Sequence, residues 1–199
     1  MSSFALSTQV EMIQIALPWL LLAWLTLEAI WDLRNQNVPV WFSLVMLLPA
    51  LALTFLVSPW AAILAAISLV STEIRHRLHM AGTLGMYLPV GMIAVVAPEY
   101  LPLIIGWGAL MIAWQLGGIG GADALAGLSL MLFFPSWEML ASIVAGILIW
   151  SVALLILRYG RSAGLRLWTV ASTRAAGTQA AGIGAYALAA LIFGAMGCF

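Results

Sequence analysis

Long apolar runs, interrupted by short polar or glycine- and proline-containing breaks, fill nearly the whole chain. An apolar run of about 20 residues crosses the ~30 Å hydrocarbon core of a bilayer as a helix. On that measure the pattern predicts helical spans near 12–31, 39–58, 60–72, 83–97, 100–116, 124–134, 139–157 and 179–197. Three of these, 60–72, 83–97 and 124–134, are short for a full crossing. Asn35-Gln36-Asn37, Ser58-Pro59, Pro98-Glu99, Gly117 through Gly121, and Pro135-Ser136 separate the runs, since these residue types favour turns over helix interiors. The expected fold class is all-α: a polytopic membrane helical bundle of about eight spans (six to eight), with residues 1–199 as a single transmembrane domain. Residues 1–11 contain no Lys or Arg, whereas a secretory signal opens on a basic region. The first run therefore reads as a retained transmembrane helix.

Composition narrows the function classes. Of 199 residues, 65% are hydrophobic and 7% charged, against roughly a quarter charged in ordinary globular domains. Seven basic residues balance seven acidic ones with no basic patch, so no nucleic-acid partner is expected and the partner implied is the lipid bilayer. The single cysteine, Cys198, excludes a disulfide framework and a multi-cysteine zinc site. No phosphate loop, dinucleotide fingerprint, HExxH or serine-nucleophile motif occurs; no cofactor and no metal are expected.

The basic residues are all arginines, and they set an orientation. Arg34 follows the first span, Arg75 and Arg77 the third, and Arg158, Arg161, Arg166 and Arg174 the seventh. On an alternating path all fall on one side, with Glu11, Glu99 and Glu138 on the other. The positive-inside rule makes the arginine side cytoplasmic and puts both termini outside. Asp32 ends the first span and Asp123 begins the sixth, so both aspartates are expected at the cytoplasmic edge.

Ionisable groups at membrane depth are costly, which makes Asp32 and Asp123 the first candidates for chemistry. Two carboxylates at one membrane edge can share a proton, since like charges raise one pKa, and such a pair activates water by general acid–base catalysis. The glycines before Asp123 remove side chains and admit another backbone. The competing reading makes Asp32 a helix-end carboxylate in the headgroups and Asp123 an N-cap. Glu28, one turn before Asp32, either tunes that carboxyl or makes an interhelical hydrogen bond. Glu73, His76 and His79, at i, i+3 and i+6, are either metal ligands or part of a solvated juxtamembrane loop. Arg34 meets lipid phosphate or a substrate carboxylate. Residues 159–174 fit an interfacial amphipathic helix, the ten tryptophans fit interface anchors and packing, and Gly182, Ala185, Ala189 and Gly194 suggest close helix packing in the last span.

Two motifs carry a resemblance. Asp32-Leu33-Arg34-Asn35-Gln36-Asn37-Val38-Pro39 resembles the first signature of the type IV prepilin peptidases, and Gly120-Gly121-Ala122-Asp123 resembles their second, GxGD. These membrane aspartyl proteases include the archaeal preflagellin peptidases. The resemblance implies a catalytic pair Asp32 and Asp123, supported by Glu28, Arg34, Pro39, Gly120, Gly121 and Ala122. It implies an aspartic endopeptidase of the inner (cytoplasmic) membrane, with its active site facing the cytoplasm, that cleaves the leader from prepilin-like protein substrates in type IV pilus or protein secretion systems. Val40 departs from the family's Asn, Ala122 from its second Gly, and Leu125 from its Lys. An added hairpin around 73–97 accounts for four spans between the aspartates. With eleven residues before the first span and no CxxC, a short form lacking the N-methylating region is expected. The oligomeric state is left open. Two alternatives stand beside this reading: a proton-coupled transporter with Glu28, Asp32 and Asp123 as relay, and a catalytically inactive pilus or secretion assembly subunit.

Overall fold

The computed structural model describes Leu17 and residues 19–32, 38–78, 80–116, 119–160 and 182–197. Among the described residues the chain is all-α. Helix α1 covers 19–32; α2 is Val40–Val57, α3 Pro59–Leu78, α4 Met80–Val96, α5 Leu101–Gln115, α6 Gly121–Phe133, α7 Trp137–Gly160 and α8 Gly184–Ala195, with a 3-10 turn at Pro98–Tyr100. Among the described residues there are eight helices, each overlapping one of the eight apolar runs of the sequence. One of them, α7 over Trp137–Leu154, is long and apolar enough to cross a membrane alone, with 22% of that stretch buried in the protein. The apolar stretches Trp41–Val57, Pro59–Thr72, Gly82–Val96, Gly121–Phe133 and Gly184–Ala195 are shorter.

Proline sets three of the helix ends by one device. The residue before a proline is pushed out of the helical region towards extended backbone. Ser58 (φ −143°, ψ 90°), Ala97 (φ −146°, ψ 77°) and Phe134 (φ −134°, ψ 78°) each precede one. Each still donates its N–H to the carbonyl four residues back, at 2.7 Å to Thr54, 2.7 Å to Ile93 and 2.9 Å to Leu130. Pro59 then opens α3 and Pro98 the 3-10 turn, where a missing N–H costs nothing. After Pro135, the Ser136 hydroxyl accepts the Met139 N–H at 3.2 Å, a serine cap for α7.

One expectation is corrected between α3 and α4. The polar stretch after residue 72 reads as a loop, yet α3 runs on to Leu78 and α4 begins at Met80. Polarity marks solvent or headgroup exposure and does not break a backbone that contains no Gly or Pro, and 73–79 has neither.

The helices fall into two compact units. One holds α1, α8 and α7 from Ala141; the other holds α2 to α6 with the first turn of α7. In the second unit α2 packs on α3, α3 on α4, α4 on α5, α5 on α6 and α6 back on α2, closing a ring of five helices. Helix α6 is buried along most of its length, at Asp123, Ala124 and from Ala126 through Leu132. That is the mark of a helix with neighbours on several sides. Buried hydroxyls tie parts of the ring. The buried Ser68 hydroxyl donates to the Met86 carbonyl and accepts the Trp107 indole N–H at 3.1 Å, joining α3, α4 and α5. Thr54 on α2 donates to Ala50 at 2.9 Å and lies 3.3 Å from the Leu132 carbonyl on α6.

In the first unit α7 and α8 approach through small residues. A Cβ on Gly146 would collide with the Ala185 carbonyl and lie 3.1 Å from the Ala189 Cβ. Ala185 and Ala189 are fully buried, as the small-residue pattern of the last span suggests.

Candidate active site

Asp123 is placed by the start of α6. Gly120 is the N-cap, in extended backbone at φ −74° and ψ 162°, and its carbonyl accepts the Ala124 N–H at 3.0 Å. Asp123 is then the third helical residue, from which a carboxylate folds back onto the cap. The Gly120 N–H donates to Asp123 Oδ2 at 3.1 Å. Glycine has no side chain to return the bond, so half of a capping box forms. The N-cap role expected for Asp123 thus belongs to Gly120, and Asp123 serves the same helix end from inside. The side chain is 4% exposed, in an apolar ring, where a negative group is favoured by the helix N-terminus.

Gly121 and Ala122 behave differently from the motif's promise. Gly121 lies against the Trp114 indole: a Cβ there would sit 3.5 Å from Nε1 and 3.7 Å from Cε2, ordinary contact. Space beside Gly121 is therefore lined by a tryptophan that sequence spacing did not single out. Ala122 is half-buried within the first helical turn, a conformation any L residue adopts. Pro39, the N-cap of α2 at φ −62° and ψ 135°, accepts the Phe42 N–H at 2.9 Å; its role in the structure is to start a helix.

Asp32 is half-buried at the C-terminal end of the described part of α1, and Glu28, one turn earlier, is 1% exposed. The neighbours of Asp32 come from far along the chain. A Cβ on Gly182 would lie 3.4 Å from Asp32 Oδ2 and 3.7 Å from Trp150 Nε1. One on Gly184 would strike the Trp150 ring at 2.5 Å from Cζ2. Trp150 on α7 is thereby seated by Gly184 and presents its indole nitrogen towards the same space as the carboxylate. Sequence reading names Gly182 only for packing and misses Trp150, because no local spacing links residues so far apart.

Asp32 belongs to the first unit and Asp123, Pro39, Gly120, Gly121 and Ala122 to the second. A two-carboxylate centre is accordingly a reading carried by the motifs and the topology. Arg34, the side chains of Glu73 and His76, and His79 lie outside the described residues, as does all of the amphipathic helix expected over 159–174 beyond the last two residues of α7. Among the described residues no group of three His, Cys, Asp or Glu side chains is placed to hold a metal ion. Comparison with known protein families, with curated proteins and with solved structures finds no match to this chain.

Proposed function

We propose that the chain is a polytopic membrane aspartic endopeptidase that removes the basic leader from type IV prepilin-like proteins at the cytoplasmic face of the inner membrane. The observation that carries the reading is the setting of Asp32 and Asp123. They are the only aspartates in a chain with 7% charged residues; Asp123 stands in the first turn of α6 and Asp32 is the last described residue of α1, each within one of the two motifs that resemble prepilin peptidase signatures. Membrane residence is supported by the outer surface, where Val95 is 85%, Leu116 81% and Leu56 79% exposed. Large apolar side chains laid bare along successive helices are costly in water and at home in lipid. Glu99 and Glu138, on the expected opposite side from the arginines, are the exposed carboxylates among the described residues.

A prepilin carries its hydrophobic segment just after the cleavage point, so the scissile bond rests at headgroup depth. In hydrolysis one carboxylate takes a proton from water as the oxygen attacks the scissile carbonyl carbon. The other, protonated, polarises that carbonyl and then gives its proton to the leaving amine as the C–N bond breaks. Purified protein in detergent, given a prepilin from the same genome, tests this. Leader cleavage is expected, with a bell-shaped pH profile whose two limbs belong to the pair, and metal chelators are expected to leave it intact. A flat profile across acid to neutral pH, with chemistry rate-limiting, overturns the pair.

One observation favours a second reading, an assembly subunit that keeps the fold without chemistry. The Asp123 carboxylate already has structural work as the cap on Gly120. Retained cleavage in Asp123→Asn sinks the peptidase pair; intact prepilin with the wild-type protein favours the subunit.

A further inference from the structure

The five helices of the second unit are short for a bilayer. Their apolar stretches are Trp41–Val57 on α2, Pro59–Thr72 on α3, Gly82–Val96 on α4 and Gly121–Phe133 on α6, while α5 is 15 residues long. At the rise of an α-helix these lengths come to about 20 to 26 Å, with only α2 above about 23 Å. An ordinary hydrocarbon core is about 30 Å thick. Tilt lowers the height of a helix along the bilayer normal, so it widens the gap. The connections do not close it either. One residue separates α2 from α3 and one separates α3 from α4, and the part of α3 beyond Thr72 carries Glu73, Arg75 and Arg77. The exposed surface has the same low height. Large exposed apolar side chains run from Trp60 to Val70 on α3, from Leu84 to Val96 on α4 and from Leu101 to Ile112 on α5, about 15 to 18 Å of helix in each case. Exposed tryptophans stand in the first turns of α2 and α3, at Trp41 and Trp60. Since α3 packs back on α2, they mark opposite rims, and tryptophan settles at headgroup level.

We infer that the five-helix ring fits a hydrocarbon core of about 20–25 Å, and that short-chain phospholipids are the partner its exposed apolar belt binds. The inference rests on the membrane residence proposed above and adds which lipid covers that belt. A belt shorter than the core leaves acyl chains against polar helix ends, and thinning the bilayer to avoid this costs more with each ångström of mismatch. Shorter chains meet the belt without that cost. Helix α7, most of which belongs to the other unit, makes a different demand, since its 24 residues reach about 36 Å and cross an ordinary core. A thin bilayer also serves the proposed chemistry. Asp123 stands in the first turn of α6, which at 13 residues is the shortest helix of the ring. A core of about 30 Å would lay hydrocarbon over an end of so short a helix. One matched to the ring leaves the start of α6 at headgroup depth, where the scissile bond of a prepilin rests.

The full chain is reconstituted into vesicles of monounsaturated phosphatidylcholine whose cores step from about 20 to about 35 Å in thickness. Flotation after an alkaline carbonate wash reports insertion. Quenching of the ten tryptophans by brominated phosphatidylcholine of each chain length, in competition with unbrominated lipid of ordinary length, reports relative affinity. Thermal melting in each vesicle reports stability. The expected result is insertion throughout, with several-fold higher affinity for the lipid of the about 20–25 Å core than for that of the about 30 Å core. The melting temperature should be highest in the thinner vesicles. Equal affinities across the series, or a maximum at about 30 Å or above, overturns the inference. Failure of membrane residence looks different, since the protein is then washed from vesicles of every thickness. Failure of the peptidase reading is separate again: a chain that inserts and prefers the thin bilayer, yet leaves prepilin intact there, upholds the thickness match and removes the chemistry. Where prepilin is cleaved, its rate should rise and fall with the same thickness as the melting temperature.

Discussion

The two aspartates sit in surroundings built by opposite means. Asp123 is held by its own neighbourhood: its carboxylate accepts the N–H of Gly120, three residues back, and both belong to the first turn of α6. Asp32 lies beside Gly182, before α8, with Trp150 of α7 close to the same glycine, both more than a hundred positions away in the chain. One side chain is buried and tied to a helix end, and the other is half-buried. A carboxylate fixed by a cap keeps its place as long as that helix end does; one met by residues from distant helices keeps it only while those helices stay packed. The difference also predicts how each residue fails. Changes near Asp123 act through the stability of one helix end, and changes near Asp32 act through the packing of α7 and α8.

The largest effect expected is on activity. Asp32→Asn and Asp123→Asn should each reduce cleavage by at least 10²-fold, the lower range of general acid–base contributions, with little change in melting. Asn keeps an oxygen that accepts the Gly120 N–H but no longer carries a proton to give. Asp123→Ala loses both functions, so it should also melt earlier, by about 1 kcal/mol as for other lost caps. Equal stability of Asp123→Ala and Asp123→Asn would show that the bond to Gly120 contributes nothing. If Asp32→Ala proved the more damaging to stability, the contrast between the two sites would be reversed.

The same contrast explains what could be read in advance. The helix sequence and most breaks were legible because Ser58-Pro59, Ala97-Pro98 and Phe134-Pro135 each force an extended residue, a rule local to two positions. The role of Asp123 at a helix start was legible because a carboxylate three residues after a glycine reaches its N–H, although the cap itself proved to be Gly120. The continuation of α3 through Glu73 and His76 is not legible from polarity, because a polar stretch without Gly or Pro leaves the helix intact. Trp150 and Gly182 were invisible beside Asp32, because proximity between α1, α7 and α8 is a product of packing and leaves no spacing in the sequence.

Stability in the first unit should be most sensitive at Gly146. A methyl there meets the carbonyl of Ala185, a backbone atom that cannot rotate away. Gly146→Ala should force α7 and α8 apart and cost about 1–3 kcal/mol, the usual range for overpacking. Gly121→Ala in the second unit offers the matched control, since its methyl meets the Trp114 ring at 3.5 Å or more. Thermal melting of both in the same detergent measures the difference. Equal losses would mean that close approach is not what distinguishes the α7–α8 contact.

The smallest expected effect is at Ala122, where the chain departs from the family's glycine. The residue lies in the first turn of α6 with ordinary helical backbone, between Gly121 against Trp114 and the capped Asp123. Nothing in that setting calls for a glycine, because left-handed backbone is the usual demand and α6 does not impose it. Ala122→Gly should therefore leave kcat/KM within about twofold of wild type. It should lower stability by roughly 0.5–1 kcal/mol, since glycine has more freedom to lose on folding. A several-fold gain in kcat/KM on a standard prepilin would mean instead that the Ala122 methyl narrows the path to Asp123. The cap would then be a consequence of a closed entrance, and the assembly-subunit reading would gain the ground that the peptidase reading lost. A gain in stability would point the same way, by showing that the alanine is strained where helical geometry says it is not. With Asp123 already held by Gly120 and Trp114 already against Gly121, the alanine adds helix order to a turn that its neighbours have already fixed.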